Sequence, residues 1–457
     1  PLPHHGYCYS VVEPLIMWGF TTVEVCVLSV STALESLLGC LAEDFPPSPG
    51  TRIFDIPFPL NDAFDPLLWC AHQPCWPQFY WQQRNGDEEL AALGAVTTFA
   101  SLSAAHDFLC AQGREDLRIS GLNAFDPHQG NLFLPRLEWR RLGGKATLRL
   151  VIHSATSLLD DAVAARAFLQ SLNSEQATAA SMPPLQSEQH APEYPQWREL
   201  IMQATQAIGA GEMDKVVLAR VTDLRFSAPL QAFAIMAASR RSNLNCFHFL
   251  MAFSPQQAFL GSTPERLWRR RGALLRTEAL AGTVANHHDD ARAQQLADWL
   301  MKDDKNQREN MLVVEDICQR LQGESPTLDV LPPQVVRLRK VQHLRRCIWC
   351  ELAEPDDSRC LLQLQPTAAV AGLPRQAALA FIRRHEPFAR EWYAGSAGYL
   401  SLAQSEFCVA LRSAKVENST LRLYAGAGIV SGSDPQQEWQ EIENKAAGLR
   451  TLLLSET

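Results

Sequence analysis

No stretch of this 457-residue chain is apolar for long enough to cross a bilayer. The most hydrophobic early segment, residues 15–30, is interrupted by Glu24 and falls short of the ~18 residues a spanning helix needs. No basic segment precedes it, so it does not read as a secretory signal. Basic charge is scarce too: 41 Lys and Arg stand against 50 Asp and Glu, a formal charge of -9. That balance excludes a broad basic face for nucleic acid, but not an anionic small substrate met by a local cation. Cysteine is sparse and scattered, 12 in all, which excludes a disulfide-dense scaffold and suits a reducing cytoplasm. The lone pair Cys347-Ile-Trp-Cys350 has no second pair and no histidines at zinc spacing, so it is given no metal role. No internal repeat is visible. The expectation is a cytoplasmic protein without membrane or nucleic-acid partners.

What is present is ample core-forming material, 46% hydrophobic residues with 20% charged. Residues 1 to about 30 read unlike the rest of the chain, and the expectation is an extension with no part in the fold. A helical opening at STALESLL leads to strand-like TRIFDIPF (51–58). QFYWQQRNGDEELAALGAV (78–96) turns at Asn85-Gly86, and RLEWRRLGGKATLRLVIH (136–153) turns at Gly143-Gly144. ATAASMPPLQSEQHAPEYP (177–195) is small, polar and Pro-containing, and reads as a connector. It divides an N-terminal subdomain, 31–190, from a second unit, 191–457. In that unit an amphipathic helix precedes the strand from Lys215, and further strands are expected over 246–253, 257–263 and 272–283. Residues 289–321 carry one long helical periodicity. Three strands come next in 391–430, and Ser433-Asp434-Pro435 opens a last helix. Hairpins mixed with helices indicate an α+β architecture.

Polar residues stand in or beside these apolar elements. Lys215 heads the apolar run Val216-Val217-Leu218, where a lysine is ordinarily solvated. Glu265 comes just after a strand, behind Ser262-Thr263-Pro264. Glu309 lies in the long helix, where it would ordinarily face water. Glu441 and Lys445 lie one turn apart, a spacing commonly worth only about 0.2–0.5 kcal/mol of helix stability. Arg412 sits within an apolar strand, where a guanidinium needs an anionic partner. Gly426 and Gly428 form a Gly-Ala-Gly loop, or simply a sharp turn. Singly, each signal is weak.

Taken in order they carry more. GEMDKVVLAR, STPERLW, EALAGT, DDKNQREN, VQHLRR, LQPTAAVAGLPR, REWYAGSAGYL and AGAGIVSGSDPQQEWQEIENKAAGL stand in the order found in chorismate-utilising enzymes. The chain resembles that family from about residue 31 to its end, FYWQQRNGDEE and GLNAFDP included, and within it the menaquinone-specific isochorismate synthases of enteric bacteria. The resemblance implies a large chorismate-binding fold, two packed and mainly antiparallel sheets surrounded by helices, with 191–457 as the catalytic domain. It implies Mg²⁺ on Glu309 and Glu441. It places the substrate among Gly282, Thr283, His343, Tyr393, Arg412, Gly426, Gly428 and Lys445, with Arg412 and Tyr393 at a carboxylate.

The resemblance also assigns Lys215 as the base that activates water and Glu265 as the acid that protonates the departing ring hydroxyl. Burial disfavours the charged forms of amines and carboxyls alike, so a desolvated site suits both roles. Anthranilate synthases typically carry glutamine in place of Lys215 and use ammonia. Covalent aminodeoxychorismate synthases carry a nucleophilic lysine where this chain has Ala281. Water is therefore the implied nucleophile, and no amidotransferase subunit is expected. The implied activity is Mg²⁺-dependent isomerisation of chorismate to isochorismate, towards menaquinone. Two alternatives stay open at this point: a salicylate synthase that goes on to eliminate pyruvate in the same site, and a non-catalytic chorismate-binding protein.

Overall fold

The computed structural model describes residues 22–323 and 327–454. Among these, every paired strand is antiparallel. The two turns rich in glycine do what their chemistry favours: Gln78–Gln82 pairs with Glu88–Phe99, and Gly130–Leu142 with Lys145–Ser154. From Lys215–Phe226 the pairing passes to Thr420–Ile429, Ser413–Glu417, Gln257–Thr263 and Phe247–Ala252. It continues through Gln78–Gln82, Glu88–Phe99 and Gly130–Leu142. Ile119–Asn123, Ser396–Leu400, Gln404–Val409, Arg266–Arg271, Leu274–Ala285 and Val341–Glu351 complete the run.

This run folds back on itself. Gln257–Thr263 and Arg266–Arg271 are separated only by Pro264 and Glu265, yet lie far apart in pairing order, so Glu265 sits where the chain crosses between two layers. One core fills the space between them, joining Trp81, Phe247 and Phe259 to Trp268, Leu400 and Phe407. The α+β, mainly antiparallel architecture is as expected. No helix among the described residues is long and apolar enough to cross a membrane.

Four details depart from the sequence reading. Residues 22–30, expected to take no part in the fold, form the first half of helix Thr22–Cys40; Cys26 and Val30 are buried in an apolar cluster with Trp69 and Trp139. Residues 1–21 of that expected extension lie outside the described residues. The connector contains a strand, Leu185–Ala191, paired with Lys215–Phe226. Its exposed polar side chains leave no alternation to read. The sheet also runs across residue 190, since Gln78–Gln82 pairs with Phe247–Ala252 and Ile119–Asn123 with Ser396–Leu400. Finally, the long helix is two helices, Asp290–Lys302 and Asp304–Leu321. Asp303 is extended between them, and its side chain accepts from the Asn306 amide as an N-cap.

Candidate active site

The strand pleat explains the lysine that heads an apolar strand. Val216 and Leu218 point to the outer face, where they pack with Trp197, Ala378 and Ile442 under helices Tyr194–Gly209, Arg375–His385 and Pro435–Leu454. Lys215 and Val217, one residue out of phase, point inward. The Lys215 side chain is 1% exposed, and its Nζ lies 3.2 Å from Glu309 Oε1. Room for that contact comes from Gly428 on the neighbouring strand. A Cβ there would strike Glu309 Oε1 and come within 2.9 Å of Lys215 Cε. Gly426 likewise clears space for the Tyr393 hydroxyl, which a Cβ would approach to 2.7 Å. Both glycines are strand residues of Thr420–Ile429, not the loop that their composition suggested.

A pocket with about 500 Å³ of empty space, its open mouth included, lies here. Of the residues singled out from sequence, Glu265, Gly282, Thr283, Glu309, His343, Tyr393, Arg412, Gly426, Gly428 and Lys445 line it. Lys215 and Glu441 stand immediately behind the wall, Lys215 on Glu309 and Glu441 at 2.8 Å from Lys445 Nζ. Val217, Leu280, Ala281, Ala369, Val370 and Leu411 supply an apolar side that no polar motif announced.

Glu265 is 2% exposed. Burial and the neighbouring Glu278 carboxylate push its pKa up to about 8, against the opposing pull of Arg412, Lys215 and Lys445. It is therefore a carboxyl that keeps its proton at neutral pH.

Arg412 is not inside a strand. It occupies the break between Gln404–Val409 and Ser413–Glu417 with φ +47, a conformation that costs energy for a residue with a side chain. Its Nη2 donates to His343 Nε2 at 2.6 Å, and it makes no salt bridge among the described residues. An arginine has only donors, so His343 carries its proton on Nδ1, which donates to Thr283 Oγ1 at 3.0 Å. Burial, Arg412 and Lys445 hold the His343 pKa well below the usual range, so the ring is neutral. The Arg412 guanidinium is left facing the cavity without a counter-charge, as an anion site requires. Tyr393 stands on the same cavity, its ring stacked on Tyr424 at 5.0 Å.

Helix Asp304–Leu321 fixes the opposite wall. Asn310, fully buried, donates to the carbonyls of Ala279, Ala281 and Leu344 and accepts from Arg346. Asn306 Oδ1 accepts from the Thr283 amide at 3.0 Å. These bonds hold the irregularity between Leu280 and Thr283, where Gly282 has φ +97.

No group of three or more His, Cys, Asp or Glu among the described residues converges closely enough to hold a metal ion unaided. The acidic residues present nevertheless fit a hard cation that keeps waters and substrate oxygens in its shell. Glu438, one turn before Glu441, is buried with its Oε2 unpaired. Burial, Glu441 and Glu309 push its pKa up. Glu441 in turn lies low, because burial is outweighed by the Lys445 ammonium 2.8 Å away. Three carboxyls that feel one another, one with an orphaned oxygen, offer such a cation oxygen donors only. The sequence reading missed Glu438, although its i,i+3 spacing from Glu441 in EWQE was the available signal.

Residues 122–454 match the family described as chorismate binding enzyme. The chain is 67% identical over 436 residues to the isochorismate synthase MenF of Escherichia coli (strain K12), across 94% of this chain and 100% of that protein. It is 40% identical over 397 residues to the isochorismate synthase MenF of Pasteurella multocida, across 86% of this chain and 91% of that one. Its fold matches the solved structure of the menaquinone-specific isochorismate synthase from Escherichia coli with a TM-score of 0.90 at 66% identity. That match covers 93% of this chain and 100% of the other.

Proposed function

The chain belongs to the chorismate-binding enzymes, and from that membership we infer that it is an isochorismate synthase serving menaquinone synthesis. The observation that carries the mechanism is one cavity with a buried lysine behind it, a carboxyl that stays protonated near neutrality, and a guanidinium without a counter-charge. Water adds to one ring carbon as hydroxide leaves another, with the double bonds shifting between them. Lys215 takes the proton from water, and Glu265 gives its proton to the departing hydroxyl. Arg412, with neutral His343 holding it in place and Tyr393 nearby, binds a substrate carboxylate. Gly282, Thr283, Gly426 and Gly428 shape the ring pocket, and Lys445, bonded to the Gly426 carbonyl at 2.8 Å, stiffens one edge.

Glu309 and Glu441, with Glu438 beside them, are the residues that would hold Mg²⁺, which when bound would neutralise the ring carboxylate and withdraw electron density from the ring. Ala281 offers a methyl group to the cavity, so no amine at that position competes with water. The polypeptide is expected to act in the cytoplasm without an amidotransferase subunit.

Incubation with chorismate, with and without Mg²⁺, and chromatography of the products tests this reading. Isochorismate formed only with the metal is expected. Stoichiometric pyruvate and salicylate would instead assign the lyase activity. Lys215→Ala should keep KM within a few fold and lose about 10²–10⁴-fold in kcat. A variant that turns over normally removes Lys215 from the mechanism.

A further inference from the structure

We propose that Arg84, carried by the hairpin between Gln78–Gln82 and Glu88–Phe99, is a positioning residue for Glu265 and acts through Glu278. The proposal rests on the reading of Glu265 as the acid. Its starting point is that the Glu265 carboxyl has no hydrogen-bond partner among the described residues, so its aim depends on how its backbone is held. Arg84 Nη1 donates to the Pro264 carbonyl and to Glu278 Oε2, both at 2.8 Å, and Nη2 donates to Glu278 Oε1 at 2.7 Å. Glu278 Oε2 also accepts from the Arg266 amide at 3.3 Å. The residues on both sides of Glu265 are therefore tied to a single ion pair. The Glu265 carbonyl accepts from the Val409 amide at 3.0 Å, and its own amide donates to Thr263 Oγ1 at 3.3 Å. No part of the turn is left to drift.

The same pair sets the field at the acid. The charged and titratable groups acting on Glu265 are Glu278, Arg412, Lys215 and Lys445, with the Tyr393 phenol close by. Glu278 alone among them favours the protonated form. Burial opposes its ionisation, but Arg84, joined by Arg266 and Arg345, outweighs burial and keeps Glu278 below the usual carboxylate range. Glu278 is fully buried and Arg84 nearly so, and the guanidinium also lies over the Phe247 ring at 5.5 Å. Such a bidentate fork cannot be replaced by a point charge. Through it the first half of the chain reaches the chemistry without touching the substrate.

The test is steady-state turnover of chorismate by R84A, R84A with added guanidinium, E278Q and E265Q, each over a range of pH. R84A is expected to lower kcat at least ~10-fold with KM within about threefold, since small misplacements of a catalytic group cost that much. Guanidinium should restore part of the loss. E278Q removes the charge that favours protonation, so the alkaline limb of kcat/KM should move to lower pH. Wild-type kcat in R84A with an unmoved limb in E278Q overturns the proposal. So does a loss in R84A that guanidinium leaves untouched and that comes with a raised KM and a lowered Tm. E265Q separates the two readings: if it retains kcat, the acid assignment itself fails. If it is inactive while R84A and E278Q behave as wild type, only the role of Arg84 fails.

Discussion

Glu265 is a buried carboxyl whose proposed use as an acid requires its protonated form, and burial is what makes that form accessible. For Glu265 this gives a pH prediction with a definite sign. Its pKa of about 8 means the acid form predominates below that pH, so kcat/KM should fall as pH rises through about 8. A profile flat to pH 9.5 would remove Glu265 as the acid. The same shift is a stability statement. Unfolded, the carboxyl ionises from ~4.3; folded, only near 8, so between these values each rise in pH favours the unfolded chain. At pH 7 the cost is about 4 kcal/mol, and it is absent below the unfolded pKa. Glu265→Gln should therefore be inactive yet raise Tm at pH 7, with the gain vanishing near pH 4. A Tm gain over wild type of equal size at both pH values would contradict this.

At the scale of elements, the site depends on places where regular structure is interrupted or stripped of side chains. Gly428 is a strand residue with ordinary backbone angles, and the atoms in its way are the ends of two flexible side chains, Glu309 Oε1 and Lys215 Cε. Gly428→Ala should therefore fold with little change in Tm while displacing both, lowering kcat by about 10²-fold. Thermal melts beside kinetics check this; a large fall in Tm with normal kcat would contradict it. These interruptions were also the hardest features to read from the chain. The hairpins at Asn85-Gly86 and Gly143-Gly144 were legible because turn chemistry is local. The break at Asp303 was not, since Asp, Lys and Asn there continue a polar helical pattern and only the cap geometry stops it. Arg412 read as strand because its neighbours are apolar, and Gly426-Ala427-Gly428 read as loop because glycine more often marks turns. Glu265, Glu309 and Glu441 were legible only through the order of eight motifs. Arg84 was not, because its partners Pro264 and Glu278 lie about 180 to 190 positions away.

Taken as a whole, the molecule is a single antiparallel run whose two ends meet at one cavity. Lys215–Phe226 and Thr420–Ile429 supply Lys215, Gly426 and Gly428, and Leu274–Ala285 and Val341–Glu351 supply Gly282, Thr283 and His343. Closing that run requires strands from before residue 190, which is how the N-terminal half serves a site it does not line. The whole chain is acidic, and at the cavity Lys215 and Lys445 are paired with Glu309 and Glu441, which leaves Arg412 to meet a substrate carboxylate. The assembly is proposed to add water to the ring and to stop there. Mass spectrometry of the product formed from chorismate in H₂¹⁸O tests it most directly. Isochorismate carrying one ¹⁸O, without released pyruvate, is the result expected. Unlabelled isochorismate, or labelled products that have lost pyruvate, would contradict it.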